Sequence, residues 1–195
     1  WLPFQMVGAA WVGMGAGMLA GRVPARGEIP ILAGYSALAA VAYGWLLNLV
    51  CYLPVAGAAF IIAFVDQQDG PTIKRTAAVI AAADLLLSLP LWVLYRTDGP
   101  EFQFVTRFEW ISSLGVDYHV GADGFAVLLI LLTTVLGFVS VLGSFSSITF
   151  RIKEFYVSLL VLQAGAIGVF CSLDLILFYV FFEFVLVPGF FLIAV

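Results

Sequence analysis

Glu183 is the only charged residue after Asp174 in a run that reads DLILFYVFFEFVLVPGFFLIAV. At about 1.5 Å of rise per residue this run is long enough for a hydrocarbon core of about 30 Å, and Glu183 falls near its midpoint. An acid at the centre of a membrane helix costs roughly 2.5 to 3.5 kcal/mol on insertion scales, so something must compensate it or use it. Pro188, five residues on, has no N–H to give the carbonyl of Phe184, which frees a polar backbone group beside the acid as in the broken helices of transporters. Desolvation favours the protonated form of an isolated carboxyl, and an approaching ammonium favours the ionised form. A charge that moves nearer or farther would therefore make Glu183 load and release a proton. The plainer alternative is a neutral Glu that hydrogen-bonds a neighbouring helix as packing glue.

Two further titratable residues are candidates for a supporting role. Asp84 lies near the middle of another apolar run, with Ser88 one turn later and Pro90 beyond it. The i, i+4 spacing lets Ser88 donate to Asp84, and such a locally satisfied pair is preferred to a proton-carrying role. His119, the only histidine, sits in a YHVGADG turn outside the apolar runs and titrates near neutral pH when unperturbed. Structuring that turn is preferred to proton exit as its task.

These residues must be held by membrane helices. The chain is 64% apolar and 10% charged with a mean hydropathy of +1.14, which excludes an ordinary soluble domain. The expected fold is all-α: a polytopic transmembrane bundle of about seven spans, with a short surface hairpin or loop between spans four and five. Trp1 to Gly21 is a first span, with Gly13, Gly17 and Gly21 on one face for close helix packing. Ile29 to Val65 carries no charge and is too long for one span, so it is expected to fold back at Gly44 to Asn48. Thr76 to Tyr95, Phe125 to Phe145, Phe155 to Ser172 and the Glu183 run follow. Between them, Arg96 to Gly124 alternates Phe102, Phe104, Phe108 and Trp110 with polar residues, a period of two that suggests a strand or hairpin on the membrane surface. This topology places Arg22 and Arg26, Lys74 and Arg75, and Arg151 and Lys153 on one side, which the positive-inside rule assigns to the cytoplasm. The chain starts without Met and ends within an apolar helix, so it is expected to be incomplete at its C-terminal end.

Redox or metal chemistry is not expected within this chain. No G-x-G-x-x-G follows a strand, Gly13-Met14-Gly15-Ala16-Gly17 is a helix-packing run, and one histidine is too few for most haem sites. Cys51 and Cys171 both sit in apolar runs and read as buried small hydrophobes without a disulfide. A net charge of −4, without a continuous basic surface, offers nucleic acid nothing to bind.

The runs SLGVDYHVGADGFAVLLILLTTVLG (Ser113 to Gly137) and RIKEFYVSLLVLQAGAIGVFCSLDLILFYVFFEFVLVPGFFLIAV (Arg151 to Val195) resemble the M-type (chain 4) antiporter-like membrane subunit of respiratory complex I, NADH:quinone oxidoreductase. The YHVGADG turn and the D-L-x-L-F-Y-x-F-F-E-x-x-L-x-P pattern around Glu183 carry most of the likeness. It covers residues 47–195, the N-terminal part of a proton-translocating domain, and leaves residues 1–46 as an N-terminal extension of two transmembrane helices.

The resemblance implies a membrane-arm subunit that couples electron transfer elsewhere in the complex to proton movement here. Its partners would be the other membrane subunits, including neighbouring antiporter-like ones, in a bacterial cytoplasmic membrane or an equivalent energy-transducing membrane. NADH, quinone, flavin and iron–sulfur clusters would belong to other subunits. Glu183 matches the family's membrane-embedded proton-site glutamate, which works with a lysine on a later helix, beyond Val195. The family pattern has no acid matching Asp84, and where many relatives carry Glu in an E-A-G-like stretch this chain has Gln163. Two other readings remain: a subunit of a multi-subunit cation/proton antiporter, and a non-transporting membrane scaffold.

Overall fold

The structure, a computed structural model, describes residues 29–97, 99–111, 113 and 115–194. In chain order these form α1 (Ile29–Phe64), α2 (Gly70–Leu94), β1 (Gln103–Ile111), β2 (Val116–Ala122), α3 (Gly124–Ser147), α4 (Ile152–Cys171) and α5 (Leu175–Ala194). All five helices contain a stretch long and apolar enough to cross a membrane, which in α1 is Gly44–Phe64. The span expected from Trp1 to Gly21, with Gly13, Gly17 and Gly21 on one face, lies outside the described residues.

The fold-back expected at Gly44 to Asn48 is not formed. Residues 29–64 make one helix of 36 residues, about 54 Å long, so spans two and three of the expected topology are a single element. Asn48 was the turn-forming signal, yet its side chain is satisfied with the helix intact. Its Nδ2 donates to the Gly44 carbonyl at 2.8 Å and to Thr106 Oγ1 at 2.9 Å, while Oδ1 accepts from the Tyr118 hydroxyl at 2.6 Å. Tertiary partners thus outweigh a local turn preference. Gly44 permits the contact, because a Cβ there would lie 2.8 Å from Thr106 Oγ1.

Four helices form the body of the bundle, with α4 packed against α1, α2 and α3, and α5 added on the far side of α4. Between α2 and α3, β1 and β2 pair antiparallel from Gln103↔Ala122 to Ile111↔Val116. The ladder slips between Gln103 and Thr106, where Phe104 takes a left-handed φ of 58° and buries its ring. Phe102, Phe108 and Trp110 stay about half exposed, so the period-two aromatics do not share one buried face. The hairpin reaches the α4–α5 junction: Leu173 N donates to the His119 carbonyl at 2.8 Å, beside a Val120↔Ser172 bridge.

Aspartates start three helices. Asp69 accepts from Thr72 N at 3.1 Å, Asp123 from Ala126 N at 2.6 Å, and Asp174 from Ile176 N and Leu177 N at 2.9 and 3.1 Å. Asp123 of the YHVGADG turn and Asp174 of the D-L-x-L run are therefore helix caps.

Lysines close two helices from outside. Lys74 of α2 donates to the Phe145 and Ile148 carbonyls at the end of α3 (2.6 and 2.8 Å), and Lys153 of α4 donates to the Ile62 and Val65 carbonyls at the end of α1 (2.9 and 2.8 Å). Each ammonium meets orphan carbonyls at the negative end of a helix dipole. Lys74→Met keeps the apolar stem and removes both bonds, so thermal unfolding in detergent should show a loss of about 1–3 kcal/mol. An unchanged Tm would mean that water serves those carbonyls equally well. Cys51 and Cys171 are free thiols packed in the core.

Candidate functional site

The buried face of α2 follows Gly70, Ile73, Ala77, Ala81, Asp84, Ser88 and Leu91, spacings of three and four that turn one stripe inward. Asp84 is on that stripe with no exposed surface, together with buried Ser88, Thr134 of α3 and Gln163 of α4. The Ser88–Asp84 hydrogen bond expected from the sequence is absent. Ser88 donates instead to the Leu85 carbonyl at 2.8 Å, and its hydroxyl lies 2.9 Å from that of Thr134. A serine within a helix reaches a carbonyl of the preceding turn more readily than the side chain ahead of it.

The partner of Asp84 comes from another helix. Gln163 Nε2 donates to Asp84 Oδ2 at 2.6 Å, linking α4 to α2. Gly137 of α3 makes room, since a Cβ there would overlap the Gln163 amide. Asp84 Oδ1 and Gln163 Oε1 have no protein hydrogen-bond partner. One hydrogen bond to a charged group is worth about 1.5–3 kcal/mol, less than the several kcal/mol that desolvating a carboxylate costs. The amide alone does not balance an ionised Asp84.

Glu183 sits elsewhere. The face of α5 toward α4 carries Leu177, Phe181, Val185 and Pro188, with Phe181 over Gly168 and Val185 over Gly165. Glu183 is two residues from both Phe181 and Val185, about 200° around the helix, so it points away from α4 and is exposed on this chain. It is mid-helix as expected but not buried among the described residues. The helix is not broken at Pro188: α5 stays helical throughout, and the proline is buried on the α4-facing stripe.

His119 lies in the hairpin, half-buried opposite Arg107. Its main chain anchors the α4–α5 junction through Leu173. Burial, aided by the Arg107 guanidinium, holds the imidazole below its ordinary value. The folded hairpin therefore binds fewer protons than the unfolded chain below about pH 6.5. Stability contributed by neutral His119 is complete above that pH and is lost as pH falls toward the lowered folded value. Protection of the β2 amides against hydrogen exchange, taken relative to the intrinsic exchange rate at each pH, should fall on acidification through this window, and His119→Gln should flatten the response; an equal response in both would exclude His119 as its cause.

A second polar cluster was not anticipated. Tyr52 donates to Tyr118 at 2.9 Å and Tyr118 to Asn48, which pins the hairpin onto α1. Burial pushes the Tyr118 hydroxyl far above the ordinary phenol value, which keeps it a donor. The available signal was a polar residue, Asn48, within an otherwise apolar helix. Gln163 carries the same signal in α4.

These features define a polytopic helical membrane protein with an acid–amide pair inside its bundle and a lone acid on its outermost helix. No protein-family model matches the chain. It is similar to the NADH-quinone oxidoreductase subunit M of Rickettsia conorii, 32% identical over 154 residues, and of Rhodobacter capsulatus, 38% identical over 154 residues; each match covers 77% of this chain, and 31% and 29% of the relative. The NADH-ubiquinone oxidoreductase chain 4 of Marchantia polymorpha is 34% identical over 143 residues, covering 73% of this chain and 29% of the relative. The resemblance read from the sequence motifs is thus supported by homologues along about three quarters of the chain. The chain spans about a third of the length of the curated relatives it matches.

Proposed function

We propose that this chain is part of a membrane-arm subunit of an NADH:quinone oxidoreductase, in which Glu183 loads and releases a proton as electrons pass to quinone in other subunits. The observation that carries the reading is the similarity to subunit M and chain 4 proteins along about three quarters of the chain. The placement of Glu183 is compatible with it: a mid-membrane acid on an open helix face can be approached by a cation or by water, and such an approach switches its protonation. In this reading residues 1–46 are an N-terminal extension and residues 47–195 are the N-terminal part of the translocating domain. α1 passes residue 46 without a break, so a boundary there would fall within a helix.

Partners in this reading are the other membrane subunits, including antiporter-like neighbours, and NADH, quinone, flavin and iron–sulfur clusters belong to the rest of the assembly. The membrane is a bacterial cytoplasmic or equivalent energy-transducing one. Among the described residues, Lys74, Arg75, Arg151 and Lys153 cluster at the end of the bundle where α1 meets α2 and α3 meets α4, against Arg96 and Arg107 at the hairpin end. The positive-inside rule puts the four-cation end in the cytoplasm. Arg22 and Arg26 lie outside the described residues, and the continuity of α1 removes the ground for placing them on that side. The test is proton uptake by vesicles holding the purified assembly, energised by NADH plus quinone. Uptake supports the reading; no uptake with NADH but uptake under an imposed sodium gradient replaces it with a cation/proton antiporter.

A further inference from the structure

We infer that Asp84 and Gln163 form a proton-binding site of their own inside the bundle, in which Asp84 is held as the neutral acid and its proton ties α2 to α4. Asp84 has no exposed surface and lies about 21 Å along α2 from Gly70 and about 15 Å from Leu94, so neither aqueous end reaches it. The groups around it are neutral. From α4 comes the Gln163 amide, from α3 Thr134 and the bare backbone of Gly137, from its own helix Ser88, and from α1 the Cys51 thiol. No Lys, Arg or His occurs in α1 or α3, in α2 after Arg75 or in α4 after Lys153, so among the described residues no cation offsets a carboxylate there.

The hydrogen-bond arithmetic points the same way. Gln163 Nε2 fills Asp84 Oδ2, leaving Asp84 Oδ1 and Gln163 Oε1, both acceptors when the acid is ionised and both without a protein donor. One proton on Oδ1 supplies the donor that this pair lacks and removes the buried charge. Releasing it requires water to enter or α4 to withdraw its amide, so protonation and the α2–α4 contact are linked. Glu183 takes no part, because it faces away from α4. The inference therefore stands apart from any role in a redox-driven complex.

Isotope-edited infrared spectroscopy of the complete protein in lipid at neutral pH tests it, using aspartate labelled with carbon-13 at the side-chain carboxyl. The other described aspartates, Asp66, Asp69, Asp117, Asp123 and Asp174, lie in the links, the hairpin or the cap positions at the membrane boundary. The expected result is a protonated-carboxyl stretch that shifts on labelling, disappears in Asp84→Asn, and moves to higher frequency in Gln163→Leu as its carbonyl loses the amide donor. If Asp84→Asn does not fold, the label and Gln163→Leu decide the question together. A label-sensitive carboxylate band lost in Asp84→Asn, a protonated band that Gln163→Leu leaves unmoved, or one that appears only when sodium is withdrawn overturns the proposal, the last in favour of a bound cation.

Discussion

Glu183→Gln is expected to abolish proton uptake driven by NADH plus quinone, with a loss of roughly tenfold or more, while the assembly remains intact. The substitution keeps the size of the side chain and a carbonyl acceptor, and removes the titration. Glu183 is exposed and opposite the α4-facing stripe of α5, so no packing within the described chain depends on it. A loss of pumping would then be a loss of proton binding and not of fold. Glu183→Asp retains an ionisable group but withdraws it by one methylene, and partial uptake is expected. Uptake at the parental level in Glu183→Gln would remove this residue from the proton path; loss of assembly would favour the scaffold reading, in which the acid holds a neighbouring helix.

Periodicity and composition disclosed the membrane helices because hydrocarbon demands long apolar runs, and Gly70–Leu94 and Gly124–Ser147 follow directly from that demand. Where two apolar runs join, the same demand carries no information about the join. Between Ile29 and Phe64 only Gly44 and Asn48 were available as signals, and both serve contacts with the hairpin in place of a turn. The polar layer shows a comparable limit. Asp84 was visible as an acid in an apolar run, but its nearest polar neighbour in sequence, Ser88, is not its partner; Gln163 is, 79 residues away. Its approach depends on Gly137, which looks in the sequence like any other glycine of a membrane helix. The burial of Glu183 was the least legible property. Depth in the membrane follows from position along a helix, whereas burial depends on which side the neighbouring helix takes.

That side is chosen by two glycines, and Gly168→Leu should undo the choice. In lipid, apolar side chains gain little by leaving hydrocarbon for a helix contact, so close van der Waals packing against small residues decides helix association. On α4, Gly168 lies under the ring of Phe181 and Gly165 under Val185, where a Cβ would lie 2.7 Å from Val185 Cγ2. A leucine at 168 must displace the ring or the whole of α5, which otherwise touches little but α4 and β2. Overpacking of this kind costs about 1–3 kcal/mol for a small insertion, and Gly168→Ala should fall in that range with Gly168→Leu beyond it. Gly189→Ala is the control from the same contact, because its nearest neighbour, Leu162 Cδ1, is 3.6 Å from the added Cβ, an ordinary contact. Limited proteolysis of the α4–α5 junction in detergent should therefore be fast in Gly168→Leu, intermediate in Gly168→Ala and parental in Gly189→Ala. Since α5 carries Glu183, the same order should appear as falling proton uptake without any change to the acid. Equal protection of all three variants would mean that Phe181 turns aside at no cost and that the glycine contact does not hold α5 in place.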